Sequence, residues 1–258
     1  MTSYQAIRVG WGPKVVSIVL DRPQEGNAVN LRLIEELEEV LGRAEAAPGV
    51  RVVSLEGRDG VFSTGLDFRS AARDSVTAED VERSVARYFG LLKRFTRSGK
   101  VLVAKVDGRA NAGGVGLVAA CDLVLATERS VFSLSEVLFG LLPANVVPFL
   151  LRRIGFQRAY AMTLTAQAIE ARAAQQMGLV DELLPSLDDG VRRLLLRVER
   201  VREKTILATK RYFESMWYVT EPMEREAMRR SVELLGDPET YEAIRAFVEG
   251  QVLPWHKP

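Results

Sequence analysis

The chain has 258 residues, of which 47% are apolar and 27% charged, so it is long and apolar enough to bury a large core and too apolar to be disordered. Its 35 Lys and Arg against 34 Asp and Glu leave a net charge of +1, which excludes electrostatic capture of nucleic acid or of an anionic membrane as its main business. One Cys (Cys121) and one His (His256) exclude an intrachain disulfide, a Cys-based zinc site and any imidazole catalysis that does not recruit the tail; no metal site is expected. Met1 to Ala6 carries neither a basic nor an apolar signal segment and no apolar run approaches about 18 residues, so a cytoplasmic protein is expected.

In chain order, the β-branched run Val15–Leu20 predicts a strand, ended by Asp21-Arg22-Pro23. Leu33, Ile34, Leu37, Val40, Leu41 and Ala44 recur at helical spacing, with Asn30 as N-cap and Pro48-Gly49 as the stop. Val50–Leu55 reads as the next strand. A helix follows over Ala78–Arg94, capped by Thr77, and then a strand at Val101–Val106. Gly108–Gly116 reads as a loop opening a short helix, Val115–Cys121, before a strand at Leu123–Ala126. Strands alternating with helices predict βαβ units. From Val147 the pattern turns helical, with segments near 157–166, 170–177, 188–202, 204–218, 222–235 and 238–249.

Three segments can carry chemistry. Gly113-Gly114 sits at a loop-to-helix junction, where bare N–H groups and a helix N-terminus suit an oxygen that becomes anionic; the same pair also serves an ordinary tight turn. In Gly60–Phe68, Gly65 relieves crowding, the Leu66 N–H is a candidate second donor, and Asp67 is either a catalytic acid or a structural acceptor. Glu136 is followed by Val137, Leu138 and Phe139, a setting that can desolvate a carboxylate and raise its pKa; a solvated Glu on a turn fits the same residues. Gly114-x-Gly116-x-x-Ala119 fits a dinucleotide fingerprint, but Asp107 to Ala112 intervene after the preceding strand and Glu136 is not at a strand end, and that reading is rejected. Trp217, Trp255 and Phe247 read as packing or subunit-contact residues rather than ligand platforms.

These segments resemble the enoyl-CoA hydratase/isomerase (crotonase) superfamily. The match runs from Arg22-Pro23…Asn27-Ala28-Val29-Asn30 through Phe62–Asp67, Gly113-Gly114…Cys121-Asp122, Phe132…Glu136 and Gly140–Pro143 to the block from Ala159 that ends in Ala173-Ala174…Met177–Asp181. The resemblance implies an α/β spiral of ββα units over residues 1–190 and a C-terminal helical trimerisation region over 191–258. It implies a homotrimer, with pairing of trimers into hexamers as an option, and no cofactor beyond the CoA or phosphopantetheine that carries a thioester substrate. Leu66 and Gly113 carry over as oxyanion-hole donors, Glu136 as the catalytic carboxylate with Asp67 as second candidate, and Ala28, Gly65, Asn111 and Gly114 as substrate or carrier contacts. Many members have a small apolar residue where this chain has Asn111.

A second family glutamate would fall six residues before Asp122, where this chain has Gly116. More narrowly, NAGGVGLVAACDLVLA, FSLSEVLFGLLPA and VPFLLRRIGFQRA are similar to the dehydratases of polyketide β-branching cassettes, which convert 3-hydroxy-3-methylglutaryl to 3-methylglutaconyl on an acyl carrier protein. The alternatives are the sister decarboxylase, a general hydratase/isomerase and a non-catalytic acyl-thioester binder. Arg69, Arg73, Tyr88 and Lys93 are the candidates for the substrate's distal carboxylate. Eight basic residues in Arg192–Arg211 form either a solvated face or a docking surface for an acidic carrier.

Overall fold

The computed structural model describes residues 4–71, 77–217, 220–250 and 252–255; Arg73 and His256 lie outside them. The first strands are β1 (Ile7–Trp11), β2 (Val15–Leu20), β3 (Val52–Glu56) and β4 (Val61–Ser63), with helix α1 (Leu31–Ala46) between β2 and β3. Next come α2 (Phe68–Ala71), α3 (Ala78–Arg97), β5 (Val101–Val106), β6 (Arg109–Asn111) and α4 (Gly113–Ala120). Then β7 (Leu123–Ala126), β8 (Val131–Ser133), a 3-10 turn at Glu136–Phe139 and α5 (Val147–Thr165) complete the spiral. The remainder is β9 (Ile169–Glu170), α6 (Ala171–Met177), β10 (Glu182–Leu183), α7 (Leu187–Val198), α8 (Glu203–Met216), α9 (Glu221–Leu235) and α10 (Pro238–Gly250).

The strands fall into two sheets, ordered β1-β2-β3-β5-β7-β10 and β4-β6-β8-β9. Each consecutive pair, β3–β4, β5–β6 and β7–β8, puts its first member in the large sheet and its second in the small one, and helix follows. That is the expected strand–strand–helix repeat. Pairing is parallel within β2-β3-β5-β7-β10 and β4-β6-β8, and antiparallel at β1–β2 and β8–β9. Every repeat therefore delivers its strand ends and helix start to one side, where the site forms.

The expected caps are present. The Asn30 side chain accepts from the Leu33 N–H, and Thr77 and Asp80 form a capping box. Helix α1 buries its six-residue apolar stripe, and α3 buries Phe89, Leu91, Leu92 and Phe95. Each such side chain contributes roughly 1.5–3 kcal/mol of burial. Helix α4 is apolar all round and buried from Gly114 to Ala120, which makes it the central helix of the core.

The structure corrects the sequence reading in places. Helix α4 begins at Gly113 rather than Val115, so Gly114 and Gly116 lie inside a helix and not in a phosphate loop. Helix α5 starts at Val147, ten residues before the expected segment, and is interrupted at Gly155. Strand β1 and the individual short strands of the small sheet lie outside the segments that periodicity predicts.

The C-terminal helices are tied to the core by buried cations: Lys105 pairs with Glu56 at 2.5 Å and Asp188 at 2.6 Å, Lys100 with Glu203 at 2.5 Å, and Lys210 with Asp122 at 2.8 Å. Lys210 thus points inward, and Arg192 and Arg193 pair with Asp189 and Glu182, which breaks up the basic run of 192–211. Helices α9 and α10 fold back over the chain's own site: Phe139, Leu141 and Ile244 form a small core with Phe68, Leu235 and Phe247.

Candidate active site

A cavity of about 810 Å³ opens between the start of α1, the start of α4, the Glu136 turn and the last two helices. Its wall includes Ala28, Leu66, Asp67, Asn111, Gly113 and Glu136, so six of the eight expected site residues converge on one space. Gly65 and Gly114 stand behind that wall rather than on it. A Cβ on Gly65 would come within 2.5 Å of the Ala112 Cβ and 3.0 Å of the Gly113 nitrogen, and one on Gly114 within 2.7 Å of the Ser63 carbonyl oxygen. Gly65 also has φ +91°. Their contribution is the close approach of two backbones.

That approach presents two N–H groups. The Val29 N–H donates to the Gly65 carbonyl and the Asp67 N–H to the Val29 carbonyl, which makes a one-residue parallel bridge between Val29 and Leu66. In such a bridge the N–H of Leu66 itself points away from Val29. Gly113 is the first residue of α4, where helix geometry leaves the N–H without an internal partner. Ala112 before it is held at φ 50° and ψ −123°, outside the ordinary regions for a residue with a Cβ, and its N–H donates to the Ser133 carbonyl at 2.9 Å. Strain of this kind, roughly 1–3 kcal/mol, persists where the surroundings fix it.

Glu136 opens the 3-10 turn. Its backbone carbonyl accepts from Leu141 at 3.0 Å, and Gly140 ends the turn in the left-handed conformation. Asn111 steers the approach to this turn: its Nδ2 donates to the Ser135 hydroxyl at 2.8 Å and the Thr64 carbonyl at 3.3 Å, while its Oδ1 accepts from Ser133 at 2.8 Å. The Asn111 amide is thus occupied in joining the two loops that carry Leu66 and Glu136. The Glu136 carboxyl is desolvated: Oε2 is buried without a hydrogen-bond partner, and burial pushes the pKa up to about 7.

Asp67 is in a different situation. It is 5% exposed, pairs with Arg22 at 3.0 Å and accepts from the Asn30 Nδ2 at 3.2 Å. Arg22 also donates to the Ala28 carbonyl at 3.0 Å. This network fastens the Leu66 loop to the start of α1.

Of the candidates for a distal carboxylate, Arg69 and Tyr88 line the cavity; Lys93 does not, and pairs with Glu224 at 2.5 Å. Sequence reasoning missed the wall supplied by α9 and α10, which includes Ser231, Tyr241, Ile244 and Phe247. Among the described residues no group of three or more His, Cys, Asp or Glu side chains is placed to hold a metal, and no helix is long and apolar enough to cross a membrane.

The sequence matches the enoyl-CoA hydratase/isomerase family over residues 12–258. The chain belongs to this family. It is 35% identical over 255 residues to the bacillaene synthase dehydratase PksH of Bacillus subtilis (strain 168), covering 99% of this chain and 98% of that protein. The crystal structure of Bacillus subtilis PksH, a polyketide-biosynthesis enoyl-CoA hydratase by its description, superposes with a TM-score of 0.88 at 34% identity over 96% of this chain and 98% of the other. An enoyl-CoA hydratase from Mycobacterium avium superposes at 0.83 with 29% identity, over 97% of this chain and 98% of the other. The α/β crotonase spiral expected from the sequence is therefore the fold of this chain.

Proposed function

We propose that this crotonase is a hydro-lyase of polyketide assembly that removes water from 3-hydroxy-3-methylglutaryl held on an acyl carrier protein, giving 3-methylglutaconyl. One observation carries the reading: the cavity wall holds Glu136, whose Oε2 is buried without a hydrogen-bond partner and whose pKa burial pushes up to about 7, and the chain has Gly116 where the family resemblance expects a second acid. The full-length similarity to a dehydratase of bacillaene synthase supports the polyketide setting.

The thioester oxygen lies between the N–H groups of Leu66 and Gly113, which stabilise the enolate; one such donor is worth roughly 3–4 kcal/mol. Glu136 takes the α-proton and returns it to the departing β-hydroxyl, a syn elimination that needs one carboxylate on one face. Cβ of this substrate is tertiary, which eases C–O cleavage. Asp67, paired with Arg22, holds the Leu66 loop rather than moving protons. Arg32, Arg69 and Arg109 bring positive charge to the wall for the distal carboxylate and for the anionic carrier, protein or CoA. The same reading makes the working form a homotrimer. Phe156, Tyr160 and Leu164 form an exposed apolar row along α5 that supports an interface. Glu136→Gln is expected to keep acyl-carrier binding and lose turnover by about 10²–10⁴-fold; unchanged turnover contradicts the mechanism.

A further inference from the structure

Position 116 is bare, yet the space beside it is not. A Cβ there would overlap the Tyr88 hydroxyl and come within 3.0 Å of the Val146 side chain. Tyr88 comes from α3, 28 residues earlier in the chain, and its residue is only 8% exposed. Its hydroxyl lies against the first turn of α4, between Gly113 and Gly116, and donates to the Gly113 carbonyl. It also lines the cavity, facing the charge of Glu136. Burial and that charge hold the phenol well above its ordinary pKa, so it stays protonated and serves only as a neutral donor.

We infer that the Tyr88 hydroxyl is the second polar group of the reaction, a hydrogen-bond donor to the β-oxygen as it leaves, occupying the room that a side chain at position 116 would otherwise need. The inference rests on the dehydratase reading. In the step, the Cα–H bond breaks and its proton goes to Glu136. Its electron pair, held as the enolate, then forms the Cα=Cβ bond. The Cβ–O bond breaks with its pair passing to oxygen, which takes the proton back from Glu136 and departs as water. Tyr88 keeps its own proton throughout and swings its O–H from the Gly113 carbonyl to the leaving oxygen. A neutral phenol cannot neutralise Glu136, which leaves that carboxylate free to give as well as take the proton. The absence of a Cβ at 116 is then a requirement of the site, since a side chain there displaces the donor.

Two reactions of the same enzyme separate this role from a structural one. Dehydration of 3-hydroxy-3-methylglutaryl-carrier needs the leaving oxygen. Deuterium exchange at Cα of 3-methylglutaryl-carrier in D2O needs only Glu136 and the two N–H donors. For Tyr88→Phe, dehydration is expected to fall about 10- to 100-fold further than exchange does, the size of a hydrogen bond to a developing charge. Gly116→Ala, which leaves the tyrosine in the chain but crowds its hydroxyl, is expected to show the same split. Equal losses in the two reactions would mean that Tyr88 only props the Gly113 peptide, and no loss in either would make it packing; both overturn the inference while leaving the dehydratase standing. A wild-type enzyme that exchanges the Cα proton but eliminates no water would overturn the dehydratase reading and the Tyr88 role with it.

Discussion

Glu136 is a residue whose usefulness has a cost to the fold. Its pKa moves from 4.5 in the unfolded chain to about 7 in the folded one. Between those values the folded chain holds a proton that the unfolded chain has released, so stability from this residue declines as pH rises through that window. Above about pH 7 the carboxylate is charged in both states and the loss is complete, about 3 kcal/mol. Glu136→Gln should therefore melt higher than the wild type at pH 8 and nearly level with it at pH 5, as thermal denaturation at the two pH values would reveal. Catalysis runs the other way, because the base must be charged: kcat/KM should climb through about pH 7 to a plateau. A profile already flat from pH 5 would mean that another group takes the proton. Gly65→Ala forces a Cβ against Ala112 at a left-handed φ, and turnover should drop by 10²-fold or more, the order of one lost oxyanion donor. The apolar neighbours of Glu136 admit it as a candidate in the sequence, and the family resemblance selects it. Tyr88 could be seen only as one of four possible partners for a carboxylate, because no spacing rule connects position 88 with position 116; the absence of a side chain at 116 was the signal, and only packing says what fills it.

At the scale of elements, β2, β5 and β7 lie at their expected bounds, because each is an apolar run, rich in β-branched residues in β2 and β5, between turn or helix residues. The strands of the small sheet have three residues each in β4, β6 and β8 and two in β9, too few for any alternation to register, so the two-sheet spiral was accessible only through resemblance. Helix α10 was legible as a helix but not as a lid, since its partners Phe68 and Phe139 lie more than a hundred residues away in sequence. Phe247 sits edge-on to Phe139 at 5.3 Å and to Phe68 at 6.4 Å. Phe247→Ala should open the cavity to water, cost about 2–3 kcal/mol in the denaturant midpoint and raise KM for the carrier-bound substrate. An unchanged KM would detach α10 from the site.

The whole molecule combines a near-neutral net charge with a cavity wall that carries arginines and a surface with an apolar row on α5. Sedimentation should give a trimer, and Tyr160→Glu within that row should shift the distribution to monomer; a wild-type monomer would assign the row elsewhere. The central claim is elimination of water from a branched hydroxyacyl thioester. It is tested most directly by incubating the protein with 3-hydroxy-3-methylglutaryl-loaded acyl carrier protein and recording intact mass. The account predicts that the loaded carrier loses the mass of one water. A carrier of unchanged mass, followed by loss of carbon dioxide when 3-methylglutaconyl-carrier is supplied instead, would contradict it and make the protein a decarboxylase.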